Sequence, residues 1–184
     1  MKLETRLVQY LSEDEQIIHD LQLVRQLGLP QCYVAAGYIR NYVWDRLHGY
    51  GNRGTYSDID VIYYDSQNIS EERDRQLENG LRSSTGNDKW SVKNQARMHI
   101  RNGAEQPYLS TLDAVRRWPE TATAVGAMLD PEDQIVILAP HGLEDLFNMI
   151  VRRSPYFEDR EYYLERVRQK EWHRLWSLLT FDEE

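Results

Sequence analysis

The stretch SDIDVIYY, residues 57–64, decides the fold that this chain is expected to adopt. The β-branched and aromatic run that begins at Ile59 predicts a strand, because such side chains suit a pleated surface. Side chains alternate along a strand, so Asp58 and Asp60 are expected on one face, roughly 6–7 Å apart. Two carboxylates this close repel each other, and a divalent cation such as Mg²⁺ would remove that penalty. The alternative is an exposed strand end with two solvated acids.

A second pattern lies upstream of the acidic strand. Residues 32–36 predict a short buried strand, Gly37 a turn, and residues 38–48 a helix. A glycine between a strand and a helix lets backbone N–H groups approach a phosphate at the helix N-terminus. A phosphate site followed by a metal site on the next strand is the arrangement that nucleotidyl transfer needs.

The two patterns, Gly37-x-x-Arg40 and Asp58-x-Asp60, resemble the signature of the polymerase-β-type nucleotidyltransferase superfamily. This group includes tRNA-terminal nucleotidyltransferases and antibiotic adenylyltransferases. The chain is most similar to a bacterial nucleotidyltransferase-like family, and the matching segments cover most of its length: residues 36–45, 57–64, 93–99, 117–126 and 139–143.

The resemblance implies an α/β (α+β) fold of the polymerase-β type, with a short mixed sheet, flanking helices and a helical C-terminal portion. We expect one nucleotidyltransferase-like domain over residues 1–184, with residues 142–184 as the helical portion. Asp58 and Asp60 would be the catalytic residues and would hold one or two Mg²⁺ ions, with Mn²⁺ able to substitute. Gly37 and Tyr38 would lie against the phosphates of a nucleoside triphosphate (NTP).

Cationic and polar side chains would complete the nucleotide site. Arg40 is a candidate phosphate clamp, and a structural ion pair with Asp45 or a strand-end acid is its alternative. The alternation of residues 90–100 predicts a strand with one polar face. This face either contacts the nucleotide or simply faces solvent. The predicted nucleotide-binding residues on that face are Lys93, Gln95 and Arg97.

Superfamily members often supply a third carboxylate from a later strand, and the strand predicted over residues 90–100 offers none. Two functions therefore remain open. The first is a Mg²⁺-dependent nucleotidyltransferase that moves a nucleoside monophosphate from an NTP to an unknown acceptor, whether a small molecule, a protein or an RNA end. The second is a catalytically degenerate nucleotide-binding or partner-binding module on the same scaffold.

Composition limits the partners and the compartment. A net charge of -8 argues against bulk nucleic-acid binding, which draws most of its affinity from neutralised phosphates. Cys32 is the only cysteine, which excludes an intrachain disulfide. No stretch approaches the roughly 18 apolar residues of a membrane span, and the N-terminus shows no signal-peptide pattern. We expect a cytoplasmic protein without membrane contact.

Local patterns predict the remaining elements. Ser12 is expected to begin a helix as the first residue of a capping box, and residues 71–81 are expected to form a solvated surface helix. Residues 121–129 and 134–138 predict a hairpin. The C-terminal aromatic residues are expected to form a packed helical cap, with a base-binding surface as the alternative: Tyr156, Phe157, Tyr162, Tyr163, Trp172 and Trp176.

Overall fold

The computed structural model describes residues 2–183, in which helices and short strands alternate. The helices are α1 (Leu3–Ser12), α2 (Glu15–Gln26), α3 (Gly37–Leu47), α4 (Glu71–Thr85), α5 (Met98–Arg101), α6 (Thr111–Arg116), α7 (Glu144–Phe147), α8 (Arg160–Lys170) and α9 (Trp172–Leu175). A 3₁₀ turn, Gln95–Arg97, precedes α5. The strands are β1 (Tyr33–Ala35), β2 (Ile59–Tyr63), β3 (Trp90–Asn94), β4 (Gly126–Leu129), β5 (Ile135–Leu138), β6 (Ile150–Val151) and β7 (Thr180–Phe181).

Five strands form one mixed sheet in the order β3-β2-β1-β4-β5. The β2–β3 pair is parallel, and the other neighbours are antiparallel. Strands β6 and β7 form a separate parallel pair. The predicted α+β fold with a short mixed sheet is therefore confirmed.

Helix α3 is the centre of the core. Every residue from Tyr38 to Asp45 is buried. The α3 side chains reach two distant segments, because Tyr42 donates its hydroxyl to the Tyr10 carbonyl and Trp44 donates its indole N–H to the Leu146 carbonyl. The inward face of β2 is also fully buried. Such a helix has no solvent face, so the start of α3 and the end of β1 are held rigidly against the sheet.

Helix α4 covers the outer edge of β3, which would otherwise present unpaired backbone groups. One α4 side chain per helical turn bonds to that edge: Asp74 accepts from the N–H of Asn94, Glu78 accepts from the N–H of Val92, and Arg82 donates to the carbonyl of Trp90. Asp74 is almost fully buried as a result. The predicted solvated surface helix forms and is exposed over most of its length, but the face with Asp74 and Leu81 is buried, and the helix extends further than expected, to Thr85.

The predicted strand over residues 90–100 is also wrong beyond Asn94. The buried Asn94 side chain accepts from the N–H of Ala96 and donates to the carbonyls of Asp65 and Asn68. These side-chain bonds take the place of further backbone pairing between β2 and β3, and the 3₁₀ turn begins here. The side chains of Gln95 and Arg97 consequently do not continue the polar face that Lys93 begins.

The predicted capping box is wrong as well. Ser12 is the last residue of α1, and its hydroxyl donates a hydrogen bond to the Gln9 carbonyl. Asp14 is the residue that caps α2, because its carboxylate accepts from the N–H of Ile17. A short acidic side chain at that position satisfies a free N–H of the first helical turn as well as serine would.

The chain after β3 agrees with most of its predictions. The hairpin forms, although its first strand begins only at Gly126. Trp172 and Trp176 pack edge-on against Trp44, with ring centroids 5.7 and 5.2 Å away, as a packed cap requires. The portion from residue 142 onward is not purely helical, since it contains β6 and β7. Over the described residues, no helix is long and apolar enough to cross a membrane.

The approach of β4 to β1 leads to a stability prediction. A Cβ atom on Gly126 would lie 3.2 Å from the Tyr33 Cβ and 3.3 Å from both the Ala35 Cβ and the Val34 carbonyl oxygen. We expect Gly126→Val to lower the free energy of unfolding by about 1–3 kcal/mol, because strand backbones cannot yield as a flexible side chain does. Urea denaturation measures this change.

Gly80 supplies the matched control. It is exposed within α4, and nothing lies within 4 Å of its added Cβ. Gly80→Ala should raise the free energy of unfolding by about 0.5–1 kcal/mol, because alanine loses less backbone entropy in a helix. A Gly126→Val protein as stable as wild type would show that β1 and β4 are not packed this closely.

Candidate active site

The register between β1 and β2 brings the two sequence patterns together. Ala35 is the Cα partner of Asp60, so the chain leaves β1 beside this carboxylate. Ala36 then adopts a left-handed φ of 57°, and its N–H donates to the Val125 carbonyl while its own carbonyl accepts from the N–H of Arg40. This sharp turn starts α3 at Gly37. The first turn of the helix and the acidic strand are therefore neighbours.

The N-terminus of α3 is suited to an anion. Ala36 offers no side-chain cap, and no described residue accepts from the N–H groups of Gly37, Tyr38 or Ile39. Free N–H groups and the helix dipole together favour negative charge at such a position. Gly37 itself does not need a positive φ, and a Cβ atom there would meet the Arg40 Nη2 at an ordinary 3.4 Å.

Asp60 is partly buried on the sheet face that this turn borders. No side chain or N–H of the described chain forms a hydrogen bond or ion pair with its carboxylate. Burial, followed by the charge of Asp58, raises the pKa of Asp60 to about 6, and the charges of Arg40, Lys93 and Lys170 oppose that rise. A carboxylate that is buried in this way beside a like charge is ionised near neutral pH, but at a free-energy penalty. A bound cation would relieve that penalty.

Asp58 lies one residue before β2 and is exposed. Its carboxylate accepts from the Ser57 hydroxyl at 3.0 Å. The structure thus brings Asp58 and Asp60 into electrostatic contact, although only Asp60 belongs to the strand. Their carboxylate oxygens are the donors that Mg²⁺ prefers, so this pair fits the metal. Across residues 2–183, no group of three or more His, Cys, Asp or Glu side chains could hold a metal ion. Waters and phosphate oxygens would have to supply the other ligands.

Arg40 is held inside the protein. Its Nη1 donates to the Thr123 hydroxyl at 2.6 Å, its Nε donates to the Asn41 side-chain oxygen at 3.0 Å, and its guanidinium lies 4.3 Å from the Trp172 ring centroid. Burial lowers the pKa of Arg40 to about 10, and the charge of Glu120 opposes this. Arg40 therefore supports the start of α3 from within.

The alternative ion pair between Arg40 and Asp45 is not formed. Asp45 instead accepts from the Arg53 guanidinium at 2.5 Å and from the Trp176 indole N–H at 2.8 Å. These bonds tie the loop over residues 49–54, which contains three glycines, and the C-terminal segment to α3. Asp60, on β2, acts on Arg40 through its charge and raises the pKa of Arg40.

The remaining sequence-predicted residues have partners of their own. The Tyr38 hydroxyl donates to the buried Asp20 carboxylate at 2.6 Å, on the core side of α3. Lys93 binds Glu78 at 3.2 Å, although its charge still reaches Asp60. Gln95 donates to the Lys93 carbonyl, and Arg97 forms an ion pair with Asp74 near the start of α4.

Helix α8 contributes residues that sequence reasoning missed. Arg166 donates its Nε to the fully buried Glu120 at 2.6 Å, and Lys170, one helical turn later, acts by its charge on Asp60. Within the described chain, no carboxylate forms an ion pair with Lys170. The i,i+4 spacing of Arg166 and Lys170 indicates one helix face. No sequence signal connects that face with a strand more than a hundred residues earlier.

Comparisons with known proteins agree with this geometry. A family model described as nucleotidyltransferase matches residues 22–181. A solved structure titled as revealing a CCA-adding enzyme head domain is 34% identical, with a TM-score of 0.86, over 97% of this chain and 95% of that one. No curated protein matches. The family match establishes that this chain belongs to the nucleotidyltransferase family, and the resemblance expected from the sequence is confirmed.

More distant structures share the fold. The Thermotoga maritima CCA-adding enzyme complexed with tRNA is 16% identical, with a TM-score of 0.59, over 99% of this chain and 42% of that one. A CCA-adding enzyme in complex with CTP is also 16% identical, with a TM-score of 0.56, over 100% of this chain and 42% of that one. This chain corresponds to less than half of each of those proteins.

The raised pKa of Asp60 leads to a pH-dependent prediction. Because the folded protein binds this proton up to about pH 6 and the unfolded chain releases it near pH 4, stability falls as the pH rises through that window. Asp60→Asn removes the effect. Without divalent cations, the variant should match wild type at pH 4 and be more stable at pH 7.5 by on the order of 2 kcal/mol.

Urea denaturation in EDTA at both pH values measures the difference. Asp88→Asn, which changes an exposed acid before β3, should follow the wild-type profile at both. An Asp60→Asn protein that differs from wild type equally at pH 4 and pH 7.5 would contradict the assigned pKa.

Proposed function

We propose that this protein transfers a nucleoside monophosphate from an NTP to an acceptor hydroxyl, with Asp58 and Asp60 as the ligands of Mg²⁺. The observation that carries the proposal is the register of Ala35 with Asp60. This register puts the start of α3, whose first N–H groups have no acceptor among the described residues, beside an unpartnered carboxylate. Nucleotidyl transfer needs both, because the phosphates must be held while charge is neutralised at the reacting phosphorus.

The phosphates of the NTP would lie at the start of α3. The backbone N–H groups from Gly37 onward would bind and orient them, and Arg40 would keep this turn in place as a positioning residue. Lys93 and Lys170, whose charges reach Asp60, would add positive charge on either side. Mg²⁺, when bound, lowers the pKa of an attacking hydroxyl and neutralises the phosphate oxygens.

Asp60 has a second role in this proposal. With its pKa raised to about 6, Asp60 holds a proton below that pH, and this proton must leave before the cation binds. Binding of Mg²⁺ is then linked to proton release and weakens below about pH 6. The partly buried position of Asp60 would also exclude water from one side of the reacting phosphate.

The acceptor is unknown, and the related structures suggest the first candidate. CCA-adding enzymes have been solved with tRNA, CTP and ATP, and the 34% identical relative is titled a CCA-adding enzyme head domain. An RNA 3′ end is therefore the acceptor to test first, before small molecules and proteins. The net charge of -8 favours contact with one RNA end over contact along a duplex.

A second candidate function rests on a specific observation. The parallel partner of Asp60 on β3 is Ser91, and no carboxylate occupies that neighbouring position. Glu120, whose charge acts on Arg40, is bound to Arg166. A site with two carboxylates could bind NTP and Mg²⁺ without turning them over, which is the behaviour of a binding module.

Removal of one carboxylate separates the two functions. Asp60→Asn should lower NTP-dependent pyrophosphate release by about 10²-fold or more, because charge stabilisation in the transition state contributes about 3 kcal/mol at such positions. NTP binding should persist, since the backbone contacts at α3 hold the ground state too. The assay uses Mg²⁺ or Mn²⁺ and a panel of RNA, small-molecule and protein acceptors.

Asp88→Asn is the control variant and should keep wild-type activity. Wild-type protein that binds NTP and Mg²⁺ yet releases no more pyrophosphate than Asp60→Asn with any acceptor would favour the binding module.

A substitution of Lys170 tests whether the phosphates of the NTP lie beside Asp58 and Asp60. Because its charge reaches Asp60 and Asp58, Lys170→Gln should weaken NTP binding by roughly 3- to 10-fold, as loss of a partly screened charge contact of ~1 kcal/mol implies. Binding of the corresponding nucleoside monophosphate should change less. Isothermal titration calorimetry in Mg²⁺ measures both affinities.

Arg168→Gln, an exposed arginine on the same helix, removes an equal charge and should leave both affinities unchanged. Equal losses of NTP affinity in Lys170→Gln and Arg168→Gln would mean that α8 acts only through its overall positive charge and not through a contact of Lys170.

A further inference from the structure

The chain that connects α3 to β2, residues 48–58, contains neither helix nor strand and carries Asp58 at its end. We call it the α3–β2 loop. Within the described residues, the Asp58 carboxylate accepts a hydrogen bond only from the neighbouring Ser57 hydroxyl. No bond to another element therefore fixes this side chain relative to α3. Its position depends on what holds the loop before it.

An ion pair with the last turn of α3 is the first anchor of the α3–β2 loop. Asp45 is almost fully buried and accepts from Arg53 three times: from Nη2 at 2.5 Å, from Nε at 2.9 Å and from the backbone N–H at 3.2 Å. The same guanidinium lies 4.2 Å from the Tyr50 ring centroid. Bonds between a planar guanidinium and a buried carboxylate are strong and directional, so the loop is held here in one geometry.

Asn41 is the second anchor, and it lies closer to Asp58. Its buried side chain donates from Nδ2 to the carbonyl of Thr55, three residues before Asp58, and accepts from the Arg40 Nε at 3.0 Å. The same amide lies beside the start of α3, because a Cβ atom on Gly37 would be 3.7 Å from the Asn41 Nδ2. One side chain thus links the first turn of α3 to the residues that lead into Asp58.

We propose that Asn41 and Arg53 are positioning residues that set where Asp58 lies relative to the start of α3. This inference rests on the proposed function, in which Asp58 helps to hold the cation and the start of α3 holds the phosphates. Neither positioning residue touches the cation or the NTP. Their effect is still large, because a misplacement of about 1 Å in a reacting assembly can lower the rate on the order of 10²-fold.

Two simpler roles of Arg53 predict different results. If the arginine acted only by its charge, its removal would strengthen cation binding at Asp58 and Asp60, because one repelling positive charge would be lost. If it only stabilised the fold, its removal would lower the melting temperature and leave the cation affinity of the folded protein unchanged. A positioning role predicts weaker cation binding, which neither of the other roles gives.

The test is a titration of the full chain with Mn²⁺ in the absence of NTP, followed by electron paramagnetic resonance. Arg53→Gln should weaken Mn²⁺ binding roughly three- to tenfold, as the loss of support for a metal ligand does. Asn41→Ser should weaken it to a similar extent without any change of charge, because the shorter side chain cannot span Arg40 and Thr55. Arg53→Lys should recover part of the loss.

Trp176→Phe is the matched control. It removes another donor to the same carboxylate, since the Trp176 indole N–H binds Asp45 at 2.8 Å, and it keeps both loop anchors. Its melting temperature should fall, and its Mn²⁺ affinity should equal that of wild type. In metal-free protein, the heteronuclear ¹⁵N NOE of the Ser57 and Asp58 amides should decrease in Arg53→Gln and stay unchanged in Trp176→Phe.

Steady-state kinetics of nucleotide transfer give a second measurement. At saturating Mg²⁺, Arg53→Gln should lower kcat about tenfold, because the cation is held in a less suitable place. The KM for the NTP should change by less than about twofold, since the start of α3 is unaltered and binds the ground state as before. A merely structural role would not separate kcat from KM in this way.

The outcomes distinguish this inference from the proposed function. Mn²⁺ binding in Arg53→Gln and Asn41→Ser that equals or exceeds that of wild type would overturn the positioning role, and so would equal weakening in Trp176→Phe. If the two variants weaken Mn²⁺ binding as expected but wild type releases no pyrophosphate with any acceptor, the positioning role stands and the proposed function fails.

Discussion

The antiparallel pairing of β1 with β2 is the constraint on which the rest of the site depends. It sets Ala35 opposite Asp60 and so brings the left-handed turn at Ala36 to the acidic strand. Burial of Asp60 disfavours this arrangement, and the like charge of Asp58 adds to the penalty, as the raised pKa of Asp60 indicates. A fold holds such a pair only when the surrounding structure is rigid. Helix α3, buried along most of its length, supplies that rigidity.

Buried charge is stabilised around this centre by specific partners. Arg40 is surrounded by hydroxyl and amide oxygens and by the Trp44 and Trp172 rings, with the charge of Glu120 nearby. Glu120 in turn binds Arg166. Lys170, on the same helix as Arg166, acts by its charge on Asp60. The C-terminal portion therefore influences the acidic strand as well as covering the core.

At the outer edge of the sheet, covering the open strand requires a buried ion pair. Helix α4 satisfies the open edge of β3 with charged side chains, and Asp74 is the most buried of them. A buried carboxylate needs a cation, and Arg97 supplies it with one of its three nitrogen atoms. The two nitrogen atoms that remain are buried and have no hydrogen-bond acceptor among the described residues. Protection of the β3 edge therefore depends on this buried ion pair.

Much of the fold was determined by the sequence alone, because its strongest signals are local. The strand–turn–helix around Gly37, the strand after Asp58 and the hairpin before Leu138 follow from β-branched runs, turn residues and helical spacing, and the structure contains all of them. The family resemblance rested on the same short motifs. Asp58 and Asp60 could be selected because their spacing is itself the signal.

Tertiary structure decided what no local pattern encodes. Asn94 ends β3 because its side chain bonds to a loop more than twenty residues upstream, a contact that alternation cannot reveal. Arg40 faces Thr123 and not Asp45, and Lys170 reaches Asp60, because packing brings together residues far apart in the chain. Charged side chains carry no periodic signal that identifies their partners. Their roles depend on burial and distance, which only the folded chain determines.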